Sequence, residues 1–168
     1  ICPPDEVVGQ VKAWKQELRN AVGWFSAANA AAHITFDIMR LNTEEAERCY
    51  KILGAFAETQ KPVDLYFNEV SFFEESRTLF IEPTTESAAG ISAMFNEYLP
   101  FAEGLGTLKN IHPHLTIGKG LKPHQFAKAK ALFGGRQLAV SFTCNNIALR
   151  QFDEKRSRYE IIERFVFG

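Results

Sequence analysis

The sequence predicts an α+β fold: two internally duplicated lobes related by a pseudo-two-fold axis, each a small, mainly antiparallel sheet with helices on its outer face, and an active groove between them. Three observations predict it. Segments with the apolar period of an amphipathic helix alternate with short runs rich in β-branched and aromatic residues. That order of elements occurs twice along the chain. Three short motifs also recur, each about 80 residues after its first appearance.

Val7, Val11, Trp14 and Leu18 form one stripe of a helix over 5–20, and Asp5 and Glu6 suit the positive end of its dipole. Residues 33–39 read as a strand. Thr43 is the predicted N-cap of a second helix, whose buried stripe is Ala46, Cys49, Tyr50, Leu53 and Ala57. Residues 63–73 and 78–82 are strands around a hairpin turn at 74–77. The order then repeats as a helix over 85–98, a strand over 114–118 and a helix over 123–133. Pro123 opens that last helix and Gly134 stops it. A hairpin of 138–152 with 158–167 follows.

The repeat is visible letter by letter. Ile1-Cys2-Pro3-Pro4-Asp5-Glu6 and Ile81-Glu82-Pro83-Thr84-Thr85-Glu86 share I-x-P-x-x-E at an offset of 80. His33-Ile34-Thr35-Phe36 and His114-Leu115-Thr116-Ile117 share H-x-T-apolar at 81. Phe73-Glu74-Glu75-Ser76-Arg77 and Phe152-Asp153-Glu154-Lys155-Arg156 share F-acid-E-x-R at 79. Two units are too few for a solenoid. They predict a single bilobal domain over 1–168, with 1–83 as the first repeat and lobe and 84–168 as the second. Because Ile81 closes a strand, Ile1 is expected to close one as well.

Composition narrows the function classes. With 168 residues, 46% hydrophobic and 23% charged, the chain is long enough to bury a core without staples. No run reaches the length of a membrane span, and no basic segment followed by an apolar one marks a secretory signal. Three cysteines, far apart and without C-x-x-C, predict a cytoplasmic protein. The net charge of −1 argues against an extended nucleic-acid surface. The charge is uneven, however: 8 Lys/Arg face 13 Asp/Glu in residues 1–83, and 11 face 7 in residues 84–168. No acidic side chain lies between Glu103 and Asp153, while Lys109, Lys119, Lys122, Lys128, Lys130, Arg136 and Arg150 all do. Such a window is either a solvated face or a local field that draws in a small anion.

The repeated H-x-T motifs point to the chemistry. On a strand, residues i and i+2 share a face, so His33 joins Thr35 and His114 joins Thr116, with the apolar residues turned to the core. A two-fold axis brings both pairs to one groove. Two facing imidazoles supply a base for the attacking oxygen and an acid for the leaving oxygen of a phosphodiester. Two hydroxyls can hydrogen-bond the non-bridging oxygens as charge builds on them.

At these residues the sequence resembles the 2H phosphoesterase superfamily, which includes 2′-5′ RNA ligase-like and cyclic nucleotide phosphodiesterase-like proteins. A-A-H-I-T-F and H-P-H-L-T-I-G-K match its two motifs, Pro113 included, and the resemblance covers nearly the whole chain. It implies an enzyme with a metal-independent site of His33, His114, Thr35 and Thr116 and no cofactor. It also implies a nucleotide 2′,3′-cyclic phosphate, a 2′-5′ phosphodiester or an RNA end as substrate. A catalytically silent nucleotide- or RNA-end-binding module on the same fold is the alternative. Lys119, just behind the second motif, is a candidate for holding the phosphate, with Lys109 and Lys122 adding a weaker field. A monomer is expected.

Other residues carry plainer readings. His112 shares a face with His114 and His124 follows, but no carboxylate lies in that window and Cys144 is remote, so no metal site is predicted. Trp24, Phe25, Phe73 and Phe152 could stack a nucleobase or serve the core. Arg77 and Arg156 are expected to pair with the acids beside them, and Cys49 to pack inertly. Serine-hydrolase, P-loop and dinucleotide-binding motifs are absent.

Overall fold

The computed structural model describes residues 1–108, 111–156 and 158–168. Four helices and six strands follow in the order α1 (Asp5–Val22), α2 (Thr43–Thr59), β1 (Val63–Phe73), β2 (Thr78–Pro83), α3 (Thr85–Tyr98), β3 (Leu115–Gly118), α4 (Pro123–Phe133), β4 (Val140–Cys144), β5 (Asn146–Asp153) and β6 (Arg158–Val166). The fold is α+β, with wholly antiparallel sheets: a four-stranded one in the order β3-β2-β1-β4 and the two-stranded pair β5-β6. Among the described residues no helix is long and apolar enough to cross a membrane.

Local chemistry accounts for the helix ends. Asp5 and Glu6 sit in the first turn of α1 and Pro123 opens α4, as expected. The cap of α2 lies one residue earlier than predicted. Asn42 accepts from the Glu45 amide (2.9 Å) while the Glu45 carboxylate accepts from the Asn42 amide (2.8 Å), a closed capping box that Thr43 does not make.

Two strand predictions differ from the structure. Residues 33–39 form no ladder. They keep the alternation of a strand, with Ile34 and Phe36 buried between half-buried His33, Thr35 and Asp37. Among the described residues their strand-like pairing is with Ile1: the Ile34 amide donates to the Ile1 carbonyl (2.9 Å), and the Ile1 nitrogen donates to the Ile34 carbonyl (3.0 Å). In the second repeat the corresponding pair is Ile81 with Leu115, within the β2–β3 ladder. The predicted strand 138–152 divides at Asn145 into β4, which joins β1, and β5, which joins β6.

The β1–β4 pairing displays the pseudo-symmetry directly. Val63 faces Cys144, Leu65 faces Phe142, and Asp64 faces Thr143 between them. Shifting by 79 residues carries the first pair onto the second and Asp64 onto Thr143, so the two-fold axis passes through that central pair. The Thr143 hydroxyl donates to the Asp64 carboxylate there (2.6 Å).

The boundary at 83/84 divides the sequence repeats, but the sheets are assembled across it. β1 and β2 of the first repeat pair with β3 and β4 of the second, and α1 packs on β3 and beside α4. Conversely, α2 packs on β5 and β6. Phe36 and Phe56 of the first repeat meet Phe95 and Tyr98 of α3, with ring centroids 5.4–5.5 Å apart for Phe36–Phe95, Phe36–Tyr98 and Phe56–Tyr98. One continuous core results. The physical reason is pairing: a hairpin with one apolar face is completed by whichever edge lies nearest in space, and the two-fold places the other repeat's edge there.

Candidate active site

His114 precedes β3, whose Leu115 and Ile117 are buried while Thr116 is left half-buried. The strand is held between β2 and α1. Gly118 permits the close fit, because a Cβ at that position would stand 2.6 Å from Leu18 Cδ2. His33 and Thr35 occupy the matching places on the extended segment paired to Ile1.

The two histidines are oriented in the same way. His33 Nδ1–H donates to the Ala31 carbonyl (2.9 Å) and His114 Nδ1–H to the His112 carbonyl (2.7 Å). A carbonyl only accepts, so each neutral ring carries its proton on Nδ1 and keeps its lone pair on Nε2. Neither the Thr35 nor the Thr116 hydroxyl has a hydrogen-bond partner among the described residues. Each motif therefore presents one basic nitrogen and one uncommitted hydroxyl.

The surroundings of the two rings differ. Phe73 and Phe80 stack on each other at 4.1 Å and set their rings 5.3 and 5.0 Å from that of His114. Burial lowers the His114 pKa, opposed by its bond to the His112 carbonyl, and the charges of His112 and Lys119 lower it further. Burial pushes His33 down to about 4, against its bond to the Ala31 carbonyl, with Arg150 and Lys15 adding to the fall. Both shifts favour the neutral ring in the free protein.

Lys119 is exposed on the turn after β3, where its charge reaches His114. Its carbonyl accepts from Ser26 Oγ (3.0 Å), and the Gln125 side-chain amide donates to the Val22 and Trp24 carbonyls (both 3.0 Å). The loop leading into His33 is therefore docked on the turn leaving Thr116. Lys122 caps α4 through its backbone amide, which donates to Gln125 Oε1 (2.9 Å). Lys109 lies outside the described residues.

Sequence reasoning missed two cations. Lys15 is only 3% exposed, and its Nζ donates to the Ala27 (3.2 Å) and Ala30 (2.9 Å) carbonyls, steadying the loop whose Ala31 carbonyl orients His33. Burial pushes its pKa down to about 8. Arg150 on β5 acts electrostatically on both Lys15 and His33. The absence of any acid between Glu103 and Asp153 was the available signal for Arg150. A lysine next to an apolar helical stripe gave none for Lys15.

The plainer readings resolve unevenly. His112 approaches the Glu82 carboxylate (3.8 Å), an acid the second motif's own window does not contain. Among the described residues no three His, Cys, Asp or Glu side chains are grouped to hold a metal ion. Phe25 is core, Phe73 packs beside His114, and Trp24 (65%) and Phe152 (47%) are exposed. Arg156 pairs with Glu160 (3.2 Å), whereas Arg77 Nε donates to the Leu121 carbonyl (2.7 Å) instead of meeting an acid. A cavity of about 370 Å³ lined by Phe72, Phe73, Glu74, Glu75 and Ser76 adjoins His114 through Phe73.

A profile of the 2′-5′ RNA ligase superfamily matches residues 3–156. A search of curated protein sequences gives no match. Among solved structures, Escherichia coli LigT in its apo form superposes with a TM-score of 0.74 at 18% identity, over 100% of this chain and 94% of that one. LigT complexed with 3′-AMP gives 0.72 at 17% identity, over 100% and 95%. The TT0787 protein of Thermus thermophilus gives 0.59 at 17%, over 98% and 93%. At these identities the likeness is one of fold.

Proposed function

The chain belongs to the 2′-5′ RNA ligase superfamily, and on that premise we propose that it is a phosphoesterase acting on nucleotide 2′,3′-cyclic phosphate or 2′-5′ phosphodiester bonds. His33 and His114 are its acid–base pair, and Thr35, Thr116 and Lys119 hold the phosphate. The observation that carries this reading is the matched orientation of the two rings, each with Nδ1 committed to the carbonyl two residues before it and Nε2 left basic beside a free threonine hydroxyl. The docking of the loop before His33 onto the turn after Thr116 supports a shared groove.

In cyclic phosphate hydrolysis one Nε2 takes a proton from water as the water oxygen bonds to phosphorus. The bond from phosphorus to one ribose oxygen breaks, and the other ring, as imidazolium, donates its proton to that oxygen. The threonine hydroxyls and the Lys119 ammonium meet the non-bridging oxygens, on which charge accumulates. Both pKa shifts favour the neutral ring in the free protein, so the acid must acquire its proton. A bound phosphate supplies the negative charge that favours this. Structures of LigT carry 3′-AMP, ATP or NADP⁺, ligands that share a nucleotide phosphate.

Turnover of a nucleoside 2′,3′-cyclic phosphate in the presence of EDTA tests the proposal. Hydrolysis to a nucleoside monophosphate is expected. Binding of the nucleotide without turnover would replace the reading with a binding module. Activity lost in EDTA and restored by a metal ion would replace it with a metallohydrolase.

A further inference from the structure

The two halves of the site are not supplied with cations in the same way. Lys119 follows the second motif, and shifting by 81 residues places Ile38 at the corresponding position of the first. Ile38 is exposed and uncharged, so the first motif lacks a counterpart of Lys119 at that position. We propose that Arg150 fills this place from β5, binding the oxyanion of the substrate phosphate on the His33 side as Lys119 does on the His114 side. The proposal rests on the phosphoesterase reading for the identity of that phosphate.

Four observations support it. The β5–β6 register slips between Leu149 and Arg150, and an irregularity of this kind re-aims the side chain that follows it. Two arginines of the hairpin are neutralised, since Arg156 and Arg158 both meet Glu160 (3.2 and 2.6 Å). In the basic window Lys130 pairs with Glu74 and Arg136 with Glu17. Arg150 has no acidic partner among the described residues.

Its guanidinium is held in place but left unsatisfied. Nη2 donates to the Tyr159 carbonyl (3.3 Å), and the group lies 5.7 Å over the Tyr159 ring. Nε is buried with no acceptor. A buried cationic N–H without a partner is costly, and a guanidinium fork accepts a phosphate in two-point geometry. The adjoining charge is also positive: Arg150 and Lys15 both act to lower the His33 pKa, and Arg150 acts to lower that of Lys15. What this corner lacks is an anion. The first repeat does not duplicate the arrangement, because shifting Arg150 back by 79 residues lands on Ser71. Each half thus draws its proposed phosphate-binding cation from a different place.

The test uses Arg150→Met, which keeps the packing stem on Tyr159 and removes the charge, and Arg150→Lys, which keeps the charge and loses the fork. Inorganic phosphate titrated into the intact protein, followed by calorimetry and by the His33 ring resonances, is expected to bind about 10-fold or more weakly to Arg150→Met. Arg150→Lys should recover part of that loss. The His33 pKa should rise in Arg150→Met, a shift that lost packing alone would not produce. In the wild type, the Arg150 Nε–H resonance should move on phosphate addition, a readout that survives even if a variant fails to fold. Unchanged phosphate affinity in folded Arg150→Met, or an unmoved Nε–H signal at saturation, overturns the assignment. The two readings separate cleanly. Phosphate binding that depends on Arg150 in a protein with no turnover sinks the phosphoesterase and leaves the subsite. Normal turnover in Arg150→Met does the reverse.

Discussion

Replacing Thr35 or Thr116 by valine isolates the contribution of each hydroxyl to catalysis. Neither oxygen has a hydrogen-bond partner among the described residues, and both side chains are half-buried on extended backbone that a β-branched residue suits. Removal therefore strands no partner, and stability should change by less than about 0.5 kcal/mol, as at an ordinary surface position. On the proposed mechanism what disappears is a hydrogen bond to a charged phosphate oxygen, about 1.5–3 kcal/mol. At about 1.4 kcal/mol per decade that is roughly 10- to 150-fold in kcat/KM for each variant. If the hydroxyls grip separate oxygens the losses multiply in the double variant. The assay is hydrolysis of a nucleoside 2′,3′-cyclic phosphate, with thermal unfolding measured on the same samples. A fall under about threefold in a folded variant would refute the phosphate-binding role. A fall that tracks a lowered Tm would show that the hydroxyls serve the fold instead.

Three other perturbations probe the remaining parts of the site. His33→Ala and His114→Ala should each cut turnover by about 10²–10⁴-fold, with the double variant little worse, because acid and base act in one step; near-normal rates in either would sink the pair. Lys119→Ala should raise KM more than it lowers kcat, and KM should depend weakly on salt, since few phosphate charges are neutralised; a steep salt slope with an oligonucleotide would mark a longer RNA contact. His33 is held below its ordinary value, at about 4 against 6.5, so the folded chain binds fewer protons than the unfolded one between those values. Its contribution to stability is therefore complete above pH 6.5 and is lost as the pH falls through about 4. Urea midpoints measured from pH 7 to pH 4 should fall less steeply in His33→Ala.

The duplication and both H-x-T pairs were legible because they are local: three motifs keep one offset, and their strand-like alternation puts histidine and threonine together. The rest depends on partners distant in sequence. Nothing in residues 138–152 tells that Asn145 ends one ladder and begins another, because the partners on either side of it, Val63 for Cys144 and Val166 for Asn146, are 81 and 20 residues away. Lys15 sits next to the Trp14 stripe and looks like a solvated lysine, yet its acceptors lie 12 and 15 residues on, in a loop without periodicity. Arg150 was one of seven cations in an acid-free window, and only the bulge beside it and its unpaired Nε set it apart. The cap of α2 moved for a smaller reason: asparagine and threonine both cap well, and the Glu45 carboxylate reaches Asn42.

The exchange of elements between the repeats also constrains how the chain reaches its folded state during synthesis. When residue 83 has left the ribosome, β1 and β2 exist as a hairpin with neither outer neighbour, and α1 has no α4 or β3 to cover it. The nascent first half therefore exposes an open sheet edge and an apolar helical stripe, the features that recruit chaperones and invite association. The four-stranded sheet cannot close until β3 and β4 have emerged, and β5 and β6, the partners of α2, come last of all. The His33 and His114 halves of the molecule are completed by one late, long-range event. A halved gene would yield two fragments with unpaired strand edges, and the fold would return only when both were made together and found each other.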